Sequence, residues 1–330
     1  MENKKNLSIY IYKILKEQSD ERHMLKYGDI IDILDKSYNI KAGRNAIGRN
    51  IDSLIASGYD IVKSKSGCYL AERDFEDSEI EYLIDSIYSS KSIPFSYANK
   101  LIEKLCHNFS VYRKDRFKFV YSSNNVESIN RTSNKQVFYN LDLINEAIEK
   151  NLQLEFTYNT YDENKKLIPR KEYNYIVSPY FMVNNNGKYY LVGNNNKYYN
   201  LSHYRIDYIT NIKILNSKIK PLTSLYGYED GIDKAKYINE HVYMFGGKTI
   251  EATIKISNLD ALNAVFDWFG LGVEVTKDGY GYLVKLSANE NALYYWLIQY
   301  GENVELVAPK NLRERLQNFA EILTKKYKEI

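Results

Sequence analysis

The stretch GKYYLVGNNNKYYNLSHYRID, Gly187 to Asp207, sets five tyrosines, one histidine and one arginine between short apolar runs. Read as a strand, its end places Leu201, His203, Arg205 and Asp207 on one face and Ser202, Tyr204 and Ile206 on the other. Arg205 offers a planar fork of donors that matches a phosphate. Tyr158, Tyr180 and Tyr190 offer flat faces for stacking bases, each worth about 1–3 kcal/mol when used. Arg170, Ser202 and His203 complete the candidate ligand-binding set. The chemistry these types suit is recognition of something polar and planar. The competing reading is that Arg205 pairs with Asp207 or another nearby carboxylate, with His203 a satisfied surface residue.

A second set lies nearer the N-terminus. Net charge is only +3, so any surface for nucleic acid must be local. From Lys36 to Lys65 six basic residues stand against two acidic ones, Asp52 and Asp60, a local balance of +4. Such a stripe attracts phosphate regardless of sequence. Arg44, Asn45 and Arg49 are the types that read guanine and adenine edges, while Lys63 and Lys65 suit the backbone. Lys41, Asn50 and Ser53 complete the candidate DNA-binding set.

The elements that must position these residues follow from apolar spacing. Leu7, Ile11, Ile14 and Leu15 mark one helix face, and Ile30, Ile33 and Leu34 mark a second helix around Tyr27 to Tyr38. Ile47, Ile51, Leu54 and Ile55 mark a third, stopped at Gly58. Gly48 inside it runs against helix propensity. YDIVKSKSGCYL then reads as a hairpin turning at SKSG. Three helices and a hairpin in this order make a winged helix-turn-helix, whose third helix enters the major groove. The alternative is a small helical protein-interaction domain with a solvated basic face.

Seven of the fifteen residues from Ala71 to Asp85 are acidic, ending the basic head. Ile80, Leu83, Ile84 and Ile87, then Tyr97, Leu101 and Leu105 beyond Pro94, give a helical connector. It either pairs with its copy in a dimer or packs on its own head. The polar run YSSNNVESINRTSNKQ reads as a loop. A helix over 140–151 precedes the alternating strand LQLEFTYN, and NNNG turns a hairpin further on. Apolar on both faces in part, these short strands suit a curved antiparallel sheet or barrel. From Lys248 the order is βαββαβ plus a closing helix, that of a ferredoxin-like α/β sandwich.

Pro179-Tyr180, Tyr189-Tyr190-Leu191-Val192-Gly193 and Arg205-Ile206-Asp207-Tyr208-Ile209 match a known pattern: proline and aromatic, then WYLVG, then a strand ending RxDxI. On these residues the chain resembles the WYL-domain transcriptional regulators of bacteria, with Tyr189 in place of the naming tryptophan. The resemblance implies an α+β multidomain chain with an N-terminal winged helix-turn-helix, a central Sm/SH3-like β-barrel and a C-terminal extension. It implies a barrel that senses a nucleic-acid or nucleotide-like effector, and a tail that contributes to dimerisation or ligand response. The expected boundaries are 1–72 for the DNA-binding head, 73–135 for the connector, 136–217 for the WYL domain, 218–247 for a linker and 248–330 for the extension. The expected protein is a homodimeric repressor reading a double-stranded operator.

Other classes find little support. No Gly-rich phosphate loop, zinc-ligand spacing or nucleophile elbow occurs, and the four histidines are scattered singly. No enzyme, cofactor or metal is therefore expected. Cys68 and Cys106 read as reduced structural thiols. No apolar run approaches a membrane span and the first residues lack a signal region, so cytoplasmic residence is expected. A single-stranded RNA- or DNA-binding protein without a regulatory role is the alternative, and a nuclease a more distant one.

Overall fold

The computed structural model describes residues 6–71, 75–106, 109–112 and 131–328. They fall into two compact units, 1–133 and 134–330.

The first unit begins with α1 (Leu7–Gln18), α2 (Tyr27–Tyr38) and α3 (Arg44–Ala56), followed by a hairpin of β1 (Ile61–Lys63) and β2 (Cys68–Leu70). The apolar stripes meet in one core: Ile11, Ile14 and Leu15 from α1, Ile30 and Leu34 from α2, Ile47 and Ile51 from α3. Ile55, expected inward, is instead exposed, because Leu54 already closes the core at the end of α3. Gly58 takes the left-handed backbone expected of a helix stop. At the hairpin, a Cβ on Gly67 would stand 2.7 Å from the Leu25 carbonyl oxygen, so only glycine lets β2 bridge to Leu25.

Beyond the head come α4 (Asp77–Ser89) and α5 (Phe95–Cys106), which bury Ile80, Ile84, Ile102 and Phe109 together. Arg131 donates to the carbonyls of Ser90 and Ile93 and to that of Tyr88. The buried Ser110 hydroxyl donates to Asp20 Oδ2 at 3.0 Å, joining the end of this connector to the α1–α2 turn. Part of the polar run expected as a loop, 121–130, lies outside the described residues.

The second unit opens with α6 (Val137–Lys150), which ends at Asn151 in the left-handed region. Then follow β3 (Leu152–Tyr161), β4 (Leu167–Pro169), β5 (Tyr175–Asn185), β6 (Lys188–Asn195), β7 (Ser202–Arg205) and β8 (Ile209–Lys218). All pair antiparallel in one curled sheet. β3 pairs with β8 from Leu152 to Tyr158, with β5 over Leu154 to Phe156 and with β4 over Asn159 to Tyr161. β5 and β6 turn at Asn186-Gly187, both at positive φ as a two-residue hairpin requires. The glycine of YLVG is obligatory: a Cβ on Gly193 would lie 2.6 Å from Val177 Cγ1 and 2.7 Å from the Ser178 oxygen.

One face of this sheet packs on α6 through Leu154, Phe156, Val177 and Leu191. The other buries Phe181, Val183 and Val192 against Leu225, Tyr237 and Met244. These last three belong to 218–247, the stretch expected as linker. It is a packed strap with its own helix, α7 (Lys234–Glu240), capped by the Asp233 carboxylate. Tyr237 and Met244 bury as core residues do, so it is part of the folded body.

The strap leads into β9 (Thr249–Ile256), α8 (Leu259–Phe269), β10 (Glu274–Asp278), β11 (Gly281–Asn289), α9 (Glu290–Gln299), β12 (Val304–Ala308) and α10 (Lys310–Lys328). The strand order is β10-β11-β9-β12, all antiparallel. Ala252, Ile254, Val284 and Leu306 pack against Val265, Phe269, Leu293 and the fully buried Trp296. No described helix is long and apolar enough to cross a membrane.

Candidate nucleic-acid interface and ligand cavities

Helix α3 divides its residues by face. Ile47, Ile51 and Leu54 are buried, while Arg44, Asn45, Arg49 and Ser53 are exposed, as is Lys41 just before the helix. Lys63 and Lys65 on the hairpin are exposed too. Lys63 reaches back to Asp52 Oδ1 at 2.5 Å, and that hydrogen bond raises its pKa. One residue of the expected set is turned elsewhere. Asn50 is half-buried; it accepts from the Ser8 hydroxyl at 2.6 Å and donates to the Ala46 carbonyl at 2.7 Å, so it joins α3 to α1 instead of offering its amide outward. Gly48 faces Tyr27, whose ring lies 3.4 Å from where its Cβ would be. Helix α2 approaches α3 closely there.

The expected Arg205 site takes a different form. The strand ends at Arg205, and Ile206–Tyr208 form one turn of 3-10 helix before β8. Asp207 thus leaves the strand periodicity and turns back on Arg205. Arg205 Nε donates to Asp207 Oδ1 at 3.1 Å and Nη2 to Oδ2 at 2.6 Å, a two-point pair around a carboxylate only 1% exposed. Burial, the largest single influence, works against the arginine's charge, but the Asp207 hydrogen bonds together with the charge of Asp207 and the neighbouring Tyr208 and Tyr190 raise the Arg205 pKa overall. The guanidinium also lies 3.9 Å from the centre of the Tyr208 ring. Buried amides fix the same corner. Asn134 donates to the carbonyls of Asp207 and Ile209, Asn140 to that of Ile209 and Asn159 to that of Tyr208. The RxDxI ending therefore holds a backbone corner, and Arg205 lines neither cavity described below. These three asparagines were missed in the sequence because each acts on backbone some fifty or more residues away.

The other expected ligand residues do not converge. Tyr158 is core: its ring meets Phe156 and Tyr204 edge-on, its hydroxyl accepts from the Arg205 backbone N–H, and burial pushes its pKa up to about 12. Tyr190 is half-buried against the core on the strap side. Tyr180 donates to the Lys220 carbonyl at 2.7 Å and lines a cavity of about 540 Å³ with Phe181, Pro221 and Leu222. Arg170 is exposed at the end of β4, and Ser202 sits half-buried opposite Gly193 in the ladder. Of the seven, His203 alone reaches the larger cavity, about 1170 Å³, formed between β7, the strap, β9 and β11.

In that cavity His203 Nε2 meets the Tyr237 hydroxyl at 2.7 Å, with the Tyr228 hydroxyl beside it. His241 stacks on Tyr237, ring centres 4.0 Å apart, and its Nδ1 lies 2.9 Å from the Tyr237 carbonyl. A carbonyl only accepts, so His241 Nδ1 carries the proton. Burial, helped by the nearby His241, lowers the His203 pKa to about 3; burial also lowers that of His241. Both rings are neutral near pH 7. The second histidine and Tyr237 went unread because they lie over thirty residues from β7. Among the described residues no cluster of three or more His, Cys, Asp or Glu could hold a metal ion.

Two family matches cover these domains: the WYL domain over residues 139–214 and the WCX domain over 248–321. No curated protein matches the chain. Among solved structures the chain is similar to proteasome accessory factor B/C (PafBC) of Arthrobacter aurescens, at 14% identity and TM-score 0.29, over 98% of this chain and 49% of that one. It is also similar to a CRISPR Cas-related protein, at 12% identity and TM-score 0.39, over 78% of this chain and 75% of that one. The chain thus spans about half the length of the PafBC structure. The domain assignment rests on the two family matches and not on these distant likenesses. The chain thus carries a WYL domain, residues 139–214, in its curled sheet, and a WCX domain, residues 248–321, in its C-terminal module.

Proposed function

We propose that this WYL-domain protein is a ligand-responsive, sequence-specific DNA-binding regulator of transcription, acting as a homodimeric repressor without enzymatic activity. In this reading the first 72 residues are a winged helix-turn-helix, the curled sheet is an Sm/SH3-like sensor, and the C-terminal module is a ferredoxin-like scaffold. The observation that carries it is the division of α3 into a buried aliphatic face and an exposed face bearing Arg44, Asn45 and Arg49. An outward row of these types next to an exposed basic hairpin suits a helix seated in the major groove. The WYL match supports a sensor of nucleic-acid or nucleotide-like effectors. Effector control requires unequal affinity for two arrangements of the dimer.

Selection of duplexes from a random pool by the full chain, followed by footprinting, tests this. The expected result is a palindromic site, with half-sites about one or more helical turns apart. Arg49→Ala should weaken binding by about 1–3 kcal/mol while leaving the fold intact. Retention of single-stranded RNA or DNA with no duplex footprint would replace this reading with the non-regulatory one.

A further inference from the structure

The cavity beside His203 is built unlike a phosphate site. Lys236 and Lys248 stand against Asp230, Asp233 and Glu240, so its lining carries one net negative charge. Both lysines already face carboxylates: Lys236 lies 3.8 Å from Glu240 and Lys248 3.4 Å from Glu290. Arg205, the cation suited to phosphate, is committed to Asp207 elsewhere. An anion entering here would meet a net negative lining whose two lysines already face carboxylates.

Its deeper wall is neutral and aromatic. His203, Tyr237, His241 and Tyr228 present ring surface and hydrogen-bonding atoms, and the highly exposed Tyr226 stands at the rim. His203 Nδ1 is buried and has no hydrogen-bond partner among the described residues. Leaving such a group unsatisfied is costly, and a bound molecule that supplies the partner recovers the loss. At about 1170 Å³ the space exceeds what one ring needs and admits a ring with a sugar attached.

We infer that this cavity binds an uncharged planar heterocycle of the nucleobase or nucleoside class, seated against His203 and Tyr237, and that it excludes the phosphate from its interior. This deepens the proposed sensing role by naming the part of the effector that enters the protein. The unpartnered Nδ1 is the group such a ring edge would satisfy, and the tyrosine rings around it suit stacking.

The test uses the full chain and calorimetric titration with adenosine, guanosine, cytidine and uridine, each beside its 5′-monophosphate, with spermidine as an organic cation. At least one nucleoside should bind saturably, and its monophosphate should bind about tenfold more weakly or worse. His203→Phe should lose about tenfold in nucleoside affinity. Tyr237→Phe, which keeps the ring and removes only the hydroxyl that holds His203, should lose affinity in the same direction. Binding of spermidine alone, tighter binding of the monophosphates, wild-type affinity in both variants or no nucleoside binding at all would each overturn the assignment. Duplex binding of the unliganded chain is measured on the same preparation. If it persists while nucleosides fail, this inference falls alone; if it is lost while nucleosides bind, the regulatory reading falls and the cavity stands.

Discussion

Arg205 and Asp207 stand two apart in the chain, and a strand would send both to the same face without letting them meet head-on. The 3-10 turn at Ile206–Tyr208 changes this by folding Asp207 back onto the guanidinium. Removing one member of a buried pair leaves the other charge uncompensated. Arg205→Ala is therefore expected to destabilise the second unit by about 3 kcal/mol, read by urea unfolding, with partial recovery in Arg205→Lys. Unchanged stability would show that the corner stands on its asparagines alone. Gly48 makes the opposite expectation. Its Cβ position is at ordinary contact distance from Tyr27, so Gly48→Ala should raise the stability of the head by about 0.5–1 kcal/mol in the same measurement, through helix propensity alone.

Elements with a regular apolar period were legible in the sequence; elements without one were not. The faces of α1, α2 and α3, the Asn186-Gly187 hairpin and the βαββαβ order all follow from spacings of two, three or four and from turn residues. The strap escaped notice because its buried residues, Leu225, Tyr237, Val242 and Met244, recur at no fixed interval between glycine-bearing turns. The candidate site suffered more than the fold. A strand period says which residues share a face but not where the strand stops, so it leaves open whether Arg205 meets a ligand or Asp207; the 3-10 turn decides for Asp207. Asn50 was assigned outward for want of its distant partner, Ser8. At the hairpin, Lys63 and Lys65 differ in one respect: Lys63 is engaged with Asp52. Lys65→Ala should reduce the salt dependence of duplex binding by nearly one counterion, and Lys63→Ala by less, as measured by anisotropy across a salt series. Equal slopes for both variants would mean that DNA displaces Asp52 entirely.

For the whole molecule, the two cavity histidines set a dependence on acidity. Both have pKa values held below the ordinary histidine value of 6.5, His203 at about 3. Below pH 6.5 the unfolded chain binds protons that the folded chain refuses, so stability is fully present above that pH and falls as pH drops towards 3. Thermal unfolding of the second unit should therefore shift to lower temperature over this range. His203→Gln should flatten the dependence; an unaltered profile in that variant would place the acid sensitivity in other groups.

The strap has a consequence for how these domains can be taken apart. Its helix covers the sheet, its far end becomes β9, and in between it walls a cavity whose other sides are Leu201 and His203 from the sheet and Thr249 and Ser287 from the C-terminal module. A sheet expressed without the module would be missing one side of the chamber, and a module expressed without the sheet would be missing the opposite one. The tether between the two domains is thus also the wall that makes them a single container.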